Sequence, residues 1–366
     1  MRVLLVSNLD SAQPFGQFLR PFHLGRGLAQ LGDEVTSVGV DCSAVDFGPS
    51  WSTHAKSLRP LTGAVRRAAR LHPPDVVYAH EARGGMAAIL AGVGVPLVAD
   101  FHAVPSMEWA GYARAARGGQ AARYRVSAAR SALAERLMAR RAQRVIAAGD
   151  EVAEDIVRLH RPHAAPEVII NGVGAGLLDG AATGTSPYDD GARHAVAVVP
   201  GAQSEANVRA LEFMAAVAER LTDRGAGVTL HVIGSADGPR GTGLTYHGYV
   251  DELAPWVVHA DACLLPYPAE AALAGGPRNK LLEALALGRT LVTTGEGLRG
   301  LREAGGYPGV SVAPDEPEAF ATAIADATRP DAVTLAAVRP DVRERLRWEK
   351  LAERVHVVLA AAAATR

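Results

Sequence analysis

The chain alternates between short apolar runs and longer stretches in which apolar positions return every three or four residues. RVLLVSN, EVTSVGVD, DVVYAH and PLVADFH are runs of the kind that form strands buried on both faces, and FLRPFHLGRGLAQLG between the first two has amphipathic helical spacing. The rhythm restarts after about residue 190 with AVAVVPG, helical ANVRALEFMAAVAERL, VTLHVIG, LTYHGYV, ADACLLPY, helical RNKLLEALALG, TLVTTGEG and VSVA. Strand alternating with helix predicts a parallel sheet covered on both faces, and the restart predicts two of them. Between the halves, GVGAGLLDGAATGTSPYDDGAR is rich in small and polar residues with no apolar period, which reads as a linker. The expected boundaries are a first domain over 1–172, a linker over 173–193 and a second domain over 194–341. Val342, Leu346, Leu351, Val355 and Leu359 predict a closing helix over 342–366.

A length of 366 residues suits two such domains, and 48% hydrophobic with 5% aromatic residues means cores of Val, Leu, Ile and Ala. Lys and Arg number 38 against 39 Asp and Glu, so bulk charge argues for neither nucleic acid nor a membrane as partner. Cys42 and Cys263 lie far apart without zinc-ligand spacing, which suits a reducing cytoplasm. The opening apolar run is too short for a signal peptide or membrane span. Arg345, Arg347, Lys350 and Arg354 likewise interrupt the Ala-rich end. No Asp-x-Asp occurs, so a metal held through paired carboxylates has no visible home and none is expected.

In open parallel sheets ligands sit beyond the carboxyl ends of the strands, so two facing sheets would share a site in the cleft between domains. The richest stretch of this kind runs from Asp261 to Leu301. After the strand CLLPY comes an Ala- and Gly-rich loop with Gly275 and Gly276 at its tip, where a ligand could approach the backbone closely. Pro277 stands where a helix would begin, and Arg278 and Lys280 follow. A helix amino terminus with two cations beside it is an anion site. Arg can fork onto phosphate oxygens while Lys acts as a point charge, which suits a diphosphate. Glu283, on the same first turns, could accept both hydroxyls of a ribose. The plainer alternative is a solvated helix face with an internal ion pair. After TLVTT, Gly295, Gly297 and Gly300 precede a short helix, and the backbone at Gly297 and Leu298 would face the same ligand. Gly295 to Gly300 also matches the dinucleotide fingerprint, but too few residues follow before Gly305 for a Rossmann crossover helix.

Other strand ends carry weaker candidates. His102 ends PLVADFH and His80 ends DVVYAH; each is either an active-site group or a satisfied structural histidine. Glu108 is an acceptor-side base candidate by its nearness to His102. Gly16, in the loop after the first strand, either admits a phosphate or acceptor or is a plain turn glycine. Tyr249 and Val250, after LTYHG, could hold a nucleobase or belong to the core. From Tyr112 to Arg144 the chain carries nine arginines and one acid, Glu135. Such a face either is simply solvated or meets an anionic membrane or phosphorylated acceptor.

These residues together resemble the retaining glycosyltransferases of the two-Rossmann-domain (GT-B) fold, in particular glycosyltransferase family 4. RVLLVSN with the loop to Gly16, RPFHLGRGLAQLGDEVTSV, DVVYAHEARGG, VPLVADFH, RVIAAGDEVAEDIVRLH and VIINGV match the first half in order. PRNKLLEALALGRTLVTTGEGLRGL is the most specific match. The resemblance implies an α/β fold of two facing Rossmann-like domains, a nucleotide-diphosphate sugar donor, retention at the anomeric carbon and no catalytic metal or other cofactor. It gives His102 a role hydrogen-bonding the donor sugar, and Gly201, after the first strand of the second half, a place on the donor.

Two departures stand out. Many members carry two glutamates with seven residues between them, whereas here Glu283 stands alone and the first position is Gly275. Many also place Arg and Lys after the first strand of the second domain, whereas this chain reads PGAQSEANVRAL with no base between Gly201 and Arg209. Arg278 and Lys280 are therefore expected to carry the phosphates. The expected partners are a nucleotide sugar, UDP-linked by preference, and a small-molecule, glycan or lipid acceptor. A sugar-nucleotide epimerase of the same fold and a non-catalytic nucleotide-sugar-binding subunit are the alternatives, with a dehydrogenase ranked last.

Overall fold

The computed structural model describes residues 1–11, 18–55, 57–174, 178, 184–188, 191–200, 204–269, 276, 278–328 and 340–365. Gly16, Gly201, Gly275 and Pro277 lie outside the described residues. The chain forms two compact units. Met1–Gly172, Ala274–Gly276 and Trp348–Arg366 make the first, and Val173–Leu273 with Pro277–Arg347 the second.

The first unit runs β1 (Arg2–Val6), α1 (Leu19–Gln30), β2 (Glu34–Gly39), β3 (Ser50–Ser52), α2 (Leu58–Leu71), β4 (Val76–His80) and α3 (Glu81–Ala91). It continues with β5 (Leu97–Phe101), α4 (Pro105–Ala115), α5 (Gly118–Arg141), β6 (Arg144–Ala147), α6 (Asp150–His160) and β7 (Glu167–Val168). All seven strands are parallel in the order β3-β2-β1-β4-β5-β6-β7. Successive side chains of β1 feed opposite faces, as the pleat requires: Leu4 and Val6 enter one core with Val77, Ala79 and Phe101, and Val3 and Leu5 enter the other with Tyr78, Val98 and Ile146. Helix α3 lies tight against β1 at Gly84 and against α5 at Gly85. A Cβ on Gly84 would stand 2.7 Å from the Val6 carbonyl oxygen, and one on Gly85 2.4 Å from Met138 Sδ.

The second unit runs β8 (Arg193–Val198), α7 (Glu205–Asp223), β9 (Val228–Ile233), β10 (Leu244–Tyr246), α8 (Ala254–His259) and β11 (Ala262–Leu265). Then come α9 (Asn279–Ala286), β12 (Leu291–Thr293), β13 (Val310–Val312), α10 (Pro317–Ala327) and α11 (Pro340–Arg345). Its six parallel strands stand in the order β10-β9-β8-β11-β12-β13. Ser204 caps α7, its Oγ accepting the Asn207 amide at 3.2 Å. Phe213 and Phe320 meet edge to face across α7 and α10.

The closing segment departs from the single helix that its spacing predicts. It splits after α11, and α12 (Trp348–Ala363) follows. At the break the chain pairs with Val173, where the second unit begins: the Val173 amide is donated to the Leu346 carbonyl at 2.7 Å and Val173 bridges Arg347. Helix α12 belongs to the first unit, where Trp348, Leu351, Val355 and Leu359 pack with Leu24 and Leu28 of α1. VIINGV yields only irregular backbone beyond the two-residue β7, and β3 forms where no strand is expected. Among the described residues no helix is long and apolar enough to cross a membrane.

Candidate active site

In each sheet the strand order reverses once, between β1 and β4 in the first unit and between β8 and β11 in the second. Ligands of such sheets gather outside the carboxyl ends at that reversal. In the first unit the chain there ends β4 at His80 and β5 at Phe101, followed by His102.

A buried charge pair anchors the group. Asp100, 0% exposed, takes Arg20 Nε at 3.0 and 3.2 Å and Nη2 at 3.1 Å, and Tyr78 donates its hydroxyl to the same carboxylate. Arg20, 2% exposed, spends Nη1 on the Ile170 carbonyl at 3.0 Å and Asn171 Oδ1 at 3.3 Å. Burial alone would push the Asp100 carboxyl up, but Arg20 and the two nearby imidazoles outweigh it and hold it below the usual carboxylate range. This is a satisfied buried ion pair, which α1 exists in part to supply.

Beside it, His80 Nδ1 and His102 Nε2 are 2.9 Å apart, one donating to the other. Each stands 3.9 Å from an oxygen of Asp100. Burial drives both imidazoles toward the neutral form despite Asp100, His80 to about 4 and His102 well below its ordinary value. His102 is therefore a neutral hydrogen-bonding group at pH 7, not a charged acid. Its main chain is held at both ends. The His102 amide is donated to Glu81 Oε1 at 3.1 Å, and its carbonyl accepts the Gly276 amide at 3.0 Å. Gly276 fits there because it lacks a side chain: a Cβ would stand 2.4 Å from the Ala148 carbonyl oxygen. Two residues singled out in separate halves of the sequence are thus hydrogen-bonded within one unit.

Among the described residues, His80, Asp100 and His102 form the one set of His, Cys, Asp or Glu ligand atoms close enough to grip an ion. Within it Arg20 and Tyr78 bond the carboxylate and the imidazoles bond each other, while the buried His80 Nε2 has no hydrogen-bond partner among the described residues. Glu108, half-buried on α4, accepts the Tyr112 hydroxyl at 2.6 Å. Glu135, the lone acid of the arginine-rich stretch, is wholly buried. It accepts the Ser106 amide at 2.8 Å and meets His160 Nε2 at 3.0 Å, so it ties α4, α5 and α6 together.

In the second unit the basic segment opens α9. Arg278, expected inside the helix, is its N-cap residue with extended backbone, so the helix begins two residues later than Pro277 implies. The Arg278 guanidinium lies over the Tyr267 ring at 5.0 Å, which aims it along the end of β11. Lys280 and Glu283 share the first turns. Burial lowers the Lys280 ammonium against the pull of Glu283, and burial raises the Glu283 carboxyl against the pull of Lys280.

The other expected donor contacts are laid out differently. The Gly297 amide is donated to Thr294 Oγ1 at 3.1 Å, and a Cβ there would stand 2.2 Å from Thr293 Oγ1, so this glycine serves packing. Leu298 is buried beside it. Gly295 to Gly300 forms a 3-10 turn over Glu296–Leu298, not the helix of a dinucleotide fold. Tyr249, 75% exposed, and Val250 lie in the turn after β10, outside the core.

Two doubly wound parallel units with polar groups at the strand carboxyl ends have the architecture of GT-B glycosyltransferases. Residues 13–172 match the model of the glycosyl transferase 4-like domain, and residues 194–329 that of glycosyl transferases group 1. The chain belongs to this glycosyltransferase family. No curated protein matches it. Among solved structures it is similar to sucrose-phosphate synthase from Thermosynechococcus elongatus, at 15% identity and a TM-score of 0.73 over 100% of this chain and 99% of that one. Anabaena HepE in complex with UDP and glucose gives 15% identity and 0.68 over 99% and 100%. A lipopolysaccharide outer core galactosyltransferase, WaaB, gives 13% and 0.61 over 99% of each.

Proposed function

We propose that this glycosyltransferase takes a sugar from a nucleotide-diphosphate donor, a UDP-sugar by preference, and passes it to an acceptor hydroxyl with retention at the anomeric carbon. The observation that carries the reading is the start of α9, where Arg278 at the N-cap and the largely buried Lys280 stand together at the positive end of the helix. Placing two cations there without an anion costs desolvation, and a diphosphate offsets it. Glu283 would take the ribose hydroxyls. As the sugar–phosphate bond breaks, Arg278 and Lys280 would stabilise the departing diphosphate through an oxocarbenium-like state. With Nε2 bonded to His80, neutral His102 would turn Nδ1 to the sugar without competing as a cation. The acceptor hydroxyl then attacks on the face the phosphate leaves and gives its proton to the departing diphosphate. The HepE structures, solved with UDP and glucose and with UDP-glucose, support the choice of nucleotide.

Calorimetry with UDP tests this. The expected result is binding to the wild type that falls at least about tenfold in Arg278→Ala and Lys280→Ala, each a lost charge-assisted contact. Equal affinity in all three overturns the assignment.

For the acceptor, the exposed face of α5 favours a molecule presented at an anionic surface, whether glycan or lipid. Val126, Leu133 and Leu137 are 56%, 61% and 37% exposed there among Arg123, Arg125, Arg130, Arg136, Arg140 and Arg141, and the one acid, Glu135, is buried. Flotation with phosphatidylglycerol vesicles and with neutral vesicles tests it. Equal recovery from both leaves the arginines as a solvated face and points to a small soluble acceptor.

A further inference from the structure

We propose that Glu81 is a positioning residue for His102, fixing the orientation and tautomer of its imidazole. The inference rests on the reading above that places His102 at the donor sugar. Glu81 is the first residue of α3, directly after His80, and its carboxylate reaches across to the end of β5. Its Oε1 accepts the His102 amide at 3.1 Å and lies 3.4 Å from His102 Nδ1. The other ring nitrogen of His102 is already committed to His80. Glu81 therefore defines the remaining side of the ring, and whichever nitrogen carries the proton is set between these two neighbours.

The backbone shows that this placement is enforced. Three non-glycine residues among those described take a positive φ: His54, Glu81 and Arg161. His54 and Arg161 are exposed, whereas Glu81, at φ 61°, is buried. Glycine would adopt this conformation without penalty, and the same helix already uses Gly84 and Gly85 where space demands it. At position 81 the strain is held in place by the side chain's hydrogen bond to His102. Strain kept in this way marks sites where position matters.

The protonation of Glu81 fits the role. Burial pushes its carboxyl up to about 8 despite the His102 amide, with Asp100 and Glu135 raising it further and Arg20 opposing them. At pH 7 it is mostly uncharged, so it orients the imidazole without drawing it into the imidazolium form.

The test uses the full-length protein with 15N-labelled histidine, the His102 signals being identified by their loss in His102→Gln. Glu81→Gly removes the carboxyl and relieves the φ strain; Glu81→Gln keeps a hydrogen-bond acceptor of the same shape. In the wild type the expected His102 spectrum is one neutral tautomer that resists protonation to low pH. Glu81→Gly should show averaged tautomers and easier protonation, while Glu81→Gln stays near wild type. With UDP-glucose as probe, UDP release should fall about 10- to 100-fold in kcat for Glu81→Gly with KM little changed, and recover in Glu81→Gln. Unchanged His102 signals in Glu81→Gly overturn the proposal whatever turnover does. Altered signals support it. If turnover is then normal in both Glu81→Gly and His102→Ala, the place of His102 at the donor fails while its positioning by Glu81 stands.

Discussion

The amide of Gly276 is donated to the carbonyl oxygen of His102 at 3.0 Å. This bond ties Gly276 to the end of β5 within the first unit. It makes Gly276 a structural partner of His102 before any ligand is considered.

Gly276→Ala should therefore be costly out of proportion to one methyl group. The new Cβ would stand 2.4 Å from the Ala148 carbonyl oxygen and 2.9 Å from Ala148 Cβ, so the loop must move and the bond to His102 must lengthen. The expected loss is about 1–3 kcal/mol of stability, read from urea denaturation, together with slower UDP release from UDP-glucose. A variant matching the wild type in both measurements would show that the loop can shift freely.

Gly297→Ala tests packing alone. Its Cβ would meet Thr293 Oγ1 at 2.2 Å and the Leu265 carbonyl oxygen at 2.9 Å, both buried between β11 and β12. Destabilisation of about 1–3 kcal/mol is expected, and differential scanning calorimetry should show a lower melting temperature.

Arg20→Ala leaves Asp100 charged and fully buried with only Tyr78 and the two histidines beside it. Removing one partner of such a pair destabilises by about 3–5 kcal/mol. Equilibrium denaturation at pH 7 measures it.

Stability should also peak within a narrow pH range. Glu81 rises from 4.5 to about 8 on folding, so the folded chain holds a proton that the unfolded chain lacks, and stability falls as pH climbs through this window. His80 moves from 6.5 to about 4 and His102 in the same direction, so here the unfolded chain holds the extra protons and stability falls as pH drops below about 6.5. The two histidines outnumber Glu81 where the windows overlap, which puts the maximum from this cluster near pH 6.5. Denaturation midpoints measured from pH 4 to 9 check the curve, and Glu81→Gln should flatten its alkaline side.

Much of this was legible in the residues because it depends on period and on backbone geometry. VLLV, VVYA and LVAD are buried on both faces of a parallel sheet, and such strands are continuous apolar runs in any sequence. The spacing of NKLLEALA similarly announces a helix, which opens at Asn279, two residues past the proline. What escaped depends on contacts between distant segments. Arg20 reads as one more charge on an amphipathic helix until the fold sets it against Asp100, and Asp100 is a lone acid inside an apolar run, the one signal that could have flagged it. Glu81 gives no local sign at all, since its importance comes from a left-handed turn and a neighbour on the next strand. Gly297 shows the opposite limit: a motif glycine whose amide is spent on Thr294.

Helix α12 shares one face of the first sheet with α1, and its Leu351, Val355, Val358 and Leu359 fill the core with Val3, Tyr78 and Val98. A ribosome delivers that helix only after the entire second unit has been made. The amino-terminal sheet must wait through that synthesis with part of an oily side uncovered, so a fragment ending at Gly172 should clump or recruit chaperones where the longer polypeptide stays dispersed.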